Sequence, residues 1–98
     1  MTYIKAKTDW NDFAETLKSA AHPERLAILY LMCNCGYDQI MVKNIYETLG
    51  LEQPITSRHL GIMRKSGLLK REVKEGKTFY CFNKDNVTAL GIRKLLSK

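Results

Sequence analysis

The sequence predicts an α+β fold, mostly helical with one small β-hairpin, in the order α-α-(β)-α-α-β-β-α. Three observations carry this. Apolar residues recur at helical spacing in successive stretches before Gly67. The period switches to two between residues 68 and 82, on either side of Glu75-Gly76-Lys77. Helical spacing then returns after Asn83.

Each element has its own signals. Asp9 can cap a first helix with Trp10, Phe13, Ala14, Leu17 and Ala21 on one stripe. His22-Pro23 breaks the chain, and Pro23 suits the first turn of a second helix. That helix is expected to bear Leu26, Leu29, Tyr30 and Cys33, and to fade at Asn34-Cys35-Gly36. Residues 37–42 read as a short extended piece. A short helix follows with Ile45 and Leu49 four apart and Gly50 as its stop. Pro54 opens the next helix, 54–66, which turns Ile55, Leu60, Ile62 and Met63 to the core. In the following strand Leu69, Arg71 and Val73 share one face, and Lys70, Glu72 and Lys74 the other. Thr78 to Phe82 is a second strand rich in β-formers. Asn83 and Asp85 can start a last helix carrying Val87, Leu90 and Leu95.

A chain of 98 residues is expected to be one domain, 1–98, with a core small enough that association is a natural source of stability. Its 45% apolar and 27% charged content is an ordinary globular mixture. The opening MTYIKAKTDW has no apolar signal core and no run is long enough to span a bilayer, so a cytoplasmic protein with no membrane role is expected. Three cysteines, Cys33, Cys35 and Cys81, do not make a secreted disulfide framework. The formal charge of +6 is unevenly spread: residues 1–57 hold −2 and residues 58–98 hold +8. A basic half of this kind fits a polyanion, most commonly nucleic acid.

Two short helices joined through Gly50 read as helix-turn-helix, whose second helix enters the DNA major groove. Positions 54, 57, 58, 61, 64 and 65 form one polar stripe on that helix. At its start lie Gln53, Ser57 and Arg58. Gln can pair with adenine and Arg with guanine through two bonds each. Arg64 and Lys65 lie further along and suit phosphate. The hairpin 69–82 carries Lys70, Arg71, Lys74 and Lys77. Beside a reading helix it is a wing, whose task is backbone contact. Lysines on an exposed strand also block edge pairing, whatever the ligand. With Pro54, Thr56 and His59, these residues make up the expected DNA-binding set.

HPERLAILYLM, followed by LGLEQPITSRHLGIMRKSGLLKREVKEGKTFYCFN, resembles the ArsR/SmtB type of bacterial winged-helix repressor from about residue 10 onwards. The specific parts are His22-Pro23-x-Arg25-Leu26, Ser57-Arg58-His59-Leu60, Ser66-Gly67-Leu68, and Glu75-Gly76-Lys77 with Tyr80. The resemblance implies a homodimer built from the first and last helices, about 9–21 and 85–97. It also implies repression that an inducer relieves, and base contacts from Gln53, Pro54, Ser57 and Arg58. The stripes Trp10, Phe13, Leu17 and Val87, Leu90, Leu95 argue independently for a dimer, because so small a core has little room for both. A two-fold axis would then demand a near-palindromic site with half-sites roughly 34 Å apart.

The resemblance also locates metal sites, and both look dismantled. The family's thiolate pair falls on Met41 and Lys43, and Lys is no ligand at ordinary pH. Its second site keeps Asp85 but has no histidine or further acid on the last helix. Cys33 and Cys35 are the remaining candidates for a soft metal or a thiol switch. Against this stands Cys33 as a small buried hydrophobe and Cys35 as a turn residue. A thiol sensor of this family would want a second cysteine on the last helix, and there is none. No phosphate loop, paired carboxylates or nucleophilic triad is present, so no enzyme and no cofactor is expected. The reading is a dimeric, sequence-specific DNA-binding regulator acting as a repressor, with double-stranded DNA as partner and no inducer assigned. The alternatives are a winged-helix protein-interaction module and a repressor responsive through Cys33 and Cys35.

Overall fold

The computed structural model describes residues 9–97. The reading of the N-terminal stretch falls mainly on residues 1–8, outside the described ones. Five helices and a three-stranded antiparallel sheet follow the expected order: α1 (Trp10–Ala20), α2 (Pro23–Asn34), β1 (Ile40–Met41), α3 (Val42–Leu49), α4 (Gln53–Lys65), β2 (Leu69–Lys74), β3 (Lys77–Phe82) and α5 (Val87–Leu96). The sheet order is β1-β3-β2, so the short β1 pairs with β3 at Ile40↔Tyr80 and Met41↔Phe79. The extended piece expected over 37–42 is thus two residues of real strand.

Local chemistry sets the boundaries. Asp9 accepts from the amides of Asn11 and Asp12 and so caps α1. His22 caps α2 through its ring, with Nδ1 accepting from Glu24 N–H at 3.1 Å. α3 ends where Gly50 enters the left-handed region at φ 66°, a conformation glycine takes without steric cost. Glu75 and Gly76 both have positive φ, the two-residue hairpin turn whose twist matches its strands. The last helix starts later than expected. Asn83 holds Gly67 O and the amide of Asp85, while Asn86 is the cap, accepting from Ala89 N–H at 3.0 Å.

The core gathers Ile28, Leu29 and Met32 of α2, Ile45 of α3, Leu60 and Met63 of α4, Leu68, Leu69, Tyr80 and Phe82 around the sheet, and Ala89 and Ile92 of α5. Two expectations change. On α2 the buried side is Ile28, Leu29 and Met32, while Leu26 and Tyr30 are exposed. The helix is apolar nearly all round, so its sequence carries no phase to read. Ile55, expected inside, is exposed at the start of α4, and Ile62 is half-buried. On α1 the apolar stripe faces outwards, where a dimer-forming face is expected, and Thr16, Ser19 and Ala20 are buried.

That inner face of α1 is polar but satisfied. Thr16 Oγ1 donates to Ser66 O at 2.9 Å, Ser19 Oγ to Thr16 O at 2.7 Å, and Ser66 Oγ lies 2.7 Å from Ser19 Oγ. The C-terminal end of α4 therefore sits on hydroxyls of α1, which holds one end of the helix-turn-helix.

Candidate nucleic-acid interface

Packing divides α4 cleanly. Thr56, His59, Leu60 and Met63, at i, i+3, i+4 and i+7, are buried. Gln53, Pro54, Ser57, Arg58, Arg64 and Lys65 are exposed. Two residues of the expected DNA-facing set are thereby corrected. Thr56 is fully buried, and its Oγ1 donates to Glu52 O at 3.0 Å. His59 is buried too, with Nε2 2.9 Å from Glu24 Oε1 on α2. Both side chains point into the fold and are closed to a base edge. No side chain caps α4, so its first-turn amides are left to solvent or an anion.

The exposed start of α4 forms one wall of an open groove. Gln53 and Ser57 line it with Arg71, Lys77, Thr78 and Tyr80 of the hairpin, and with Met41, Val42, Lys43 and Tyr46 from β1 and α3. Lys43 and Tyr46 were missed by sequence reasoning as parts of this surface. Nothing local in the sequence says that the start of α3 abuts the wing. Arg58 is exposed outside this groove, and Lys65 lines a different one with Lys18 and Arg25, between α1 and α4.

The four wing cations are unequal. Strand register sets Arg71 opposite Tyr80, Lys70 opposite Cys81 and Lys74 opposite Lys77. Lys70 Nζ is held 2.9 Å from Asp85 Oδ2, and this carboxylate raises the lysine's pKa above its ordinary value. Lys74 Nζ pairs with Glu72 at 2.8 Å. Arg71 and Lys77 are the two that line the groove. Asp85, the survivor of the family's second metal site, is thus engaged in an ion pair.

The cysteines are free thiols, all half-buried. Cys33 Sγ donates to Arg93 O, and Cys35 Sγ lies 3.4 Å from Met32 O. Burial pushes the Cys33 thiol pKa up, against a smaller lowering by Arg93. A raised pKa keeps the group protonated near neutrality, away from the thiolate that metal binding or redox chemistry requires. Cys81 stands between the buried Tyr80 and Phe82, on the opposite face of β3 with Lys70.

The proposed dimer residues are displayed at the surface. Trp10, Leu17, Val87, Leu90 and Leu95 are exposed, Val87 and Leu95 by 84% and 81%. Phe13 is half-buried and stacks on Trp10. Phe13, Leu17, Val87 and Leu95 line one apolar groove between α1 and α5.

Residues 22–71 match the model of the bacterial regulatory protein family, arsR. The chain belongs to the ArsR family. A biofilm growth-associated repressor of Xylella fastidiosa is 33% identical over 67 residues, 66% of this chain. The chain spans only 56% of that relative's length. The crystal structure of the transcriptional repressor PagR of Bacillus anthracis is 36% identical and superimposes with a TM-score of 0.76, over 90% of this chain and 95% of that one. A homodimeric winged helix-turn-helix DNA-binding domain from Mycobacterium bovis shares the fold at TM-score 0.73 and 18% identity, over 95% of this chain and 83% of that one. The chain therefore carries the winged-helix fold of a family of transcriptional regulators. Among its described residues no helix is long and apolar enough to cross a membrane.

Proposed function

We propose that this ArsR-family chain is a single-domain, homodimeric repressor that binds a near-palindromic DNA operator in the cytoplasm. The observation that carries the reading is the division of α4. One face is locked into the core, and the other presents Gln53, Ser57 and Arg58 beside a groove bearing Lys43, Arg71 and Lys77. Gln53, Ser57 and Arg58 read base edges, and Pro54 packs beside them. Lys43, Arg71 and Lys77 hold phosphate, with Arg64 and Lys65 further out and Lys70 and Lys74 contributing less through their ion pairs. The dimer forms through the apolar faces of α1 and α5. Covering each large apolar side chain there is worth about 1.5–3 kcal/mol. Two reading helices then meet half-sites roughly 34 Å apart. The repressor names of the relatives and the homodimeric structural neighbour support the same reading.

Selection of bound duplexes from a random library tests it. Enrichment of a two-fold symmetric sequence at that spacing is expected. No preference over random DNA at moderate salt sinks the reading and favours a protein-interaction module instead.

A further inference from the structure

Opposite the groove, the buried face of α4 meets the start of α2 in a cluster that the DNA-binding reading does not use. We propose that His22, Glu24 and His59 form a site for a borderline divalent transition-metal ion of the Zn2+ class. Each side chain offers one ligand atom, and these atoms lie within 4.8 Å of one another. The two imidazole rings are 4.8 Å apart, tilted by 48°. Two imidazoles and a carboxylate are the donor set that suits such an ion, and the half-exposed Glu24 leaves an entry and a position for water. The site shares no residue with the family positions on Met41, Lys43 and Asp85, and it uses no thiol.

The hydrogen bonding of His59 gives the second argument. Its Nδ1 is buried without a partner. If Nε2–H donates to Glu24, a bare lone pair remains buried on Nδ1. If the proton sits on Nδ1, that N–H lacks an acceptor and the Nε2 lone pair faces a carboxylate. Nδ1 is unsatisfied in both tautomers, so the ligand pair is Nε2 with the carboxylate. An ion between them turns their facing lone pairs into ligand bonds and fixes the ring proton on Nδ1, whose buried N–H still needs an acceptor.

His22 must make an exchange. A neutral imidazole has one in-plane lone pair free, and His22 now spends it on Glu24 N–H. Ligation therefore replaces the cap bond, a loss of roughly fivefold in an equilibrium constant, small beside the gain from three metal ligands. Because His59 adjoins Arg58, the bound ion would fix the reading helix against α2.

Titration of the full chain with Co2+, read in the visible d–d bands and by competition with Zn2+, tests the site. One ion per chain is expected. His22→Asn keeps an oxygen cap for α2 and Glu24→Gln keeps an acceptor for His59, so both variants should fold while weakening binding beyond the roughly 10–100-fold that loss of an outer-shell partner causes. Replacing Cys33, Cys35 and Cys81 by Ser should leave binding unchanged. In the unaltered chain, Zn2+ should shift the ring resonances of both histidines. No binding at micromolar cobalt, binding that survives both variants, binding lost with the cysteines, or histidine resonances unmoved by Zn2+ each overturns the proposal.

Discussion

α1 and α4 are both two-faced helices, and they use their faces in opposite ways. α4 buries Leu60 and Met63 and shows solvent a polar and cationic stripe. α1 buries two hydroxyl residues and an alanine, and shows solvent Trp10 and Leu17. Hydroxyls can line α1's inner face because the C-terminal end of α4 supplies their partners at 2.7–2.9 Å. What each helix leaves outside then fits a different partner. A polar stripe beside free cations suits DNA, and an apolar stripe continuous with that of α5 suits a second copy of the chain.

The largest effect should come from spoiling the apolar exterior. Leu17→Asp with Leu95→Asp places carboxylates on both walls of the α1–α5 groove without touching the core. Sedimentation should show a monomer. Operator affinity should fall by roughly 100-fold or more, as two linked half-sites become independent. A dimer that persists would move the interface elsewhere. Arg58→Ala, on the polar exterior, should cost about 1–3 kcal/mol and relax discrimination at one base-pair position. Uniform weakening across all sequences would demote Arg58 to a phosphate contact.

The contrast between the helices also shows what the sequence can reveal. Element order, the Gly50 stop and the hairpin turn are legible because capping and turn chemistry is local. The stripe on α4 is legible because its two faces differ in polarity. On α1 the same periodicity shows an apolar face but not what lines the opposite one, since the partners of Thr16 and Ser19 come from Ser66, some fifty residues away. Thr56 and His59 sit inside the best-marked motif, and the sequence puts them on DNA, because a polar residue on a reading helix looks exposed until its partner is seen. For His59 that partner is Glu24, 35 residues earlier.

Thr56→Val separates the two faces of α4 directly. The substitution removes the hydroxyl that donates to Glu52 O while keeping the shape of a fully buried side chain. Stability should drop by about 0.5–1.5 kcal/mol, read as a shift of the urea midpoint. Base preference should be unchanged. A changed consensus in the selected duplexes would put position 56 back on the DNA.

The smallest effect distinguishes two lysines that face each other across the hairpin tip. Lys74 and Lys77 are register partners, so composition and position treat them alike. Lys74 already has Glu72 at 2.8 Å, while Lys77 lines the groove with Arg71. A cation engaged with a carboxylate displaces fewer counterions from a phosphate when it arrives. Lys77→Ala should therefore lower the slope of log affinity against log salt by about one, without altering base preference. Lys74→Ala also releases Glu72 as an unpaired negative charge, so its effect should appear mainly as a modest loss of affinity at low salt. Equal salt slopes for the two variants would mean that the Glu72 pair opens on binding and that the wing acts as an undivided patch of charge.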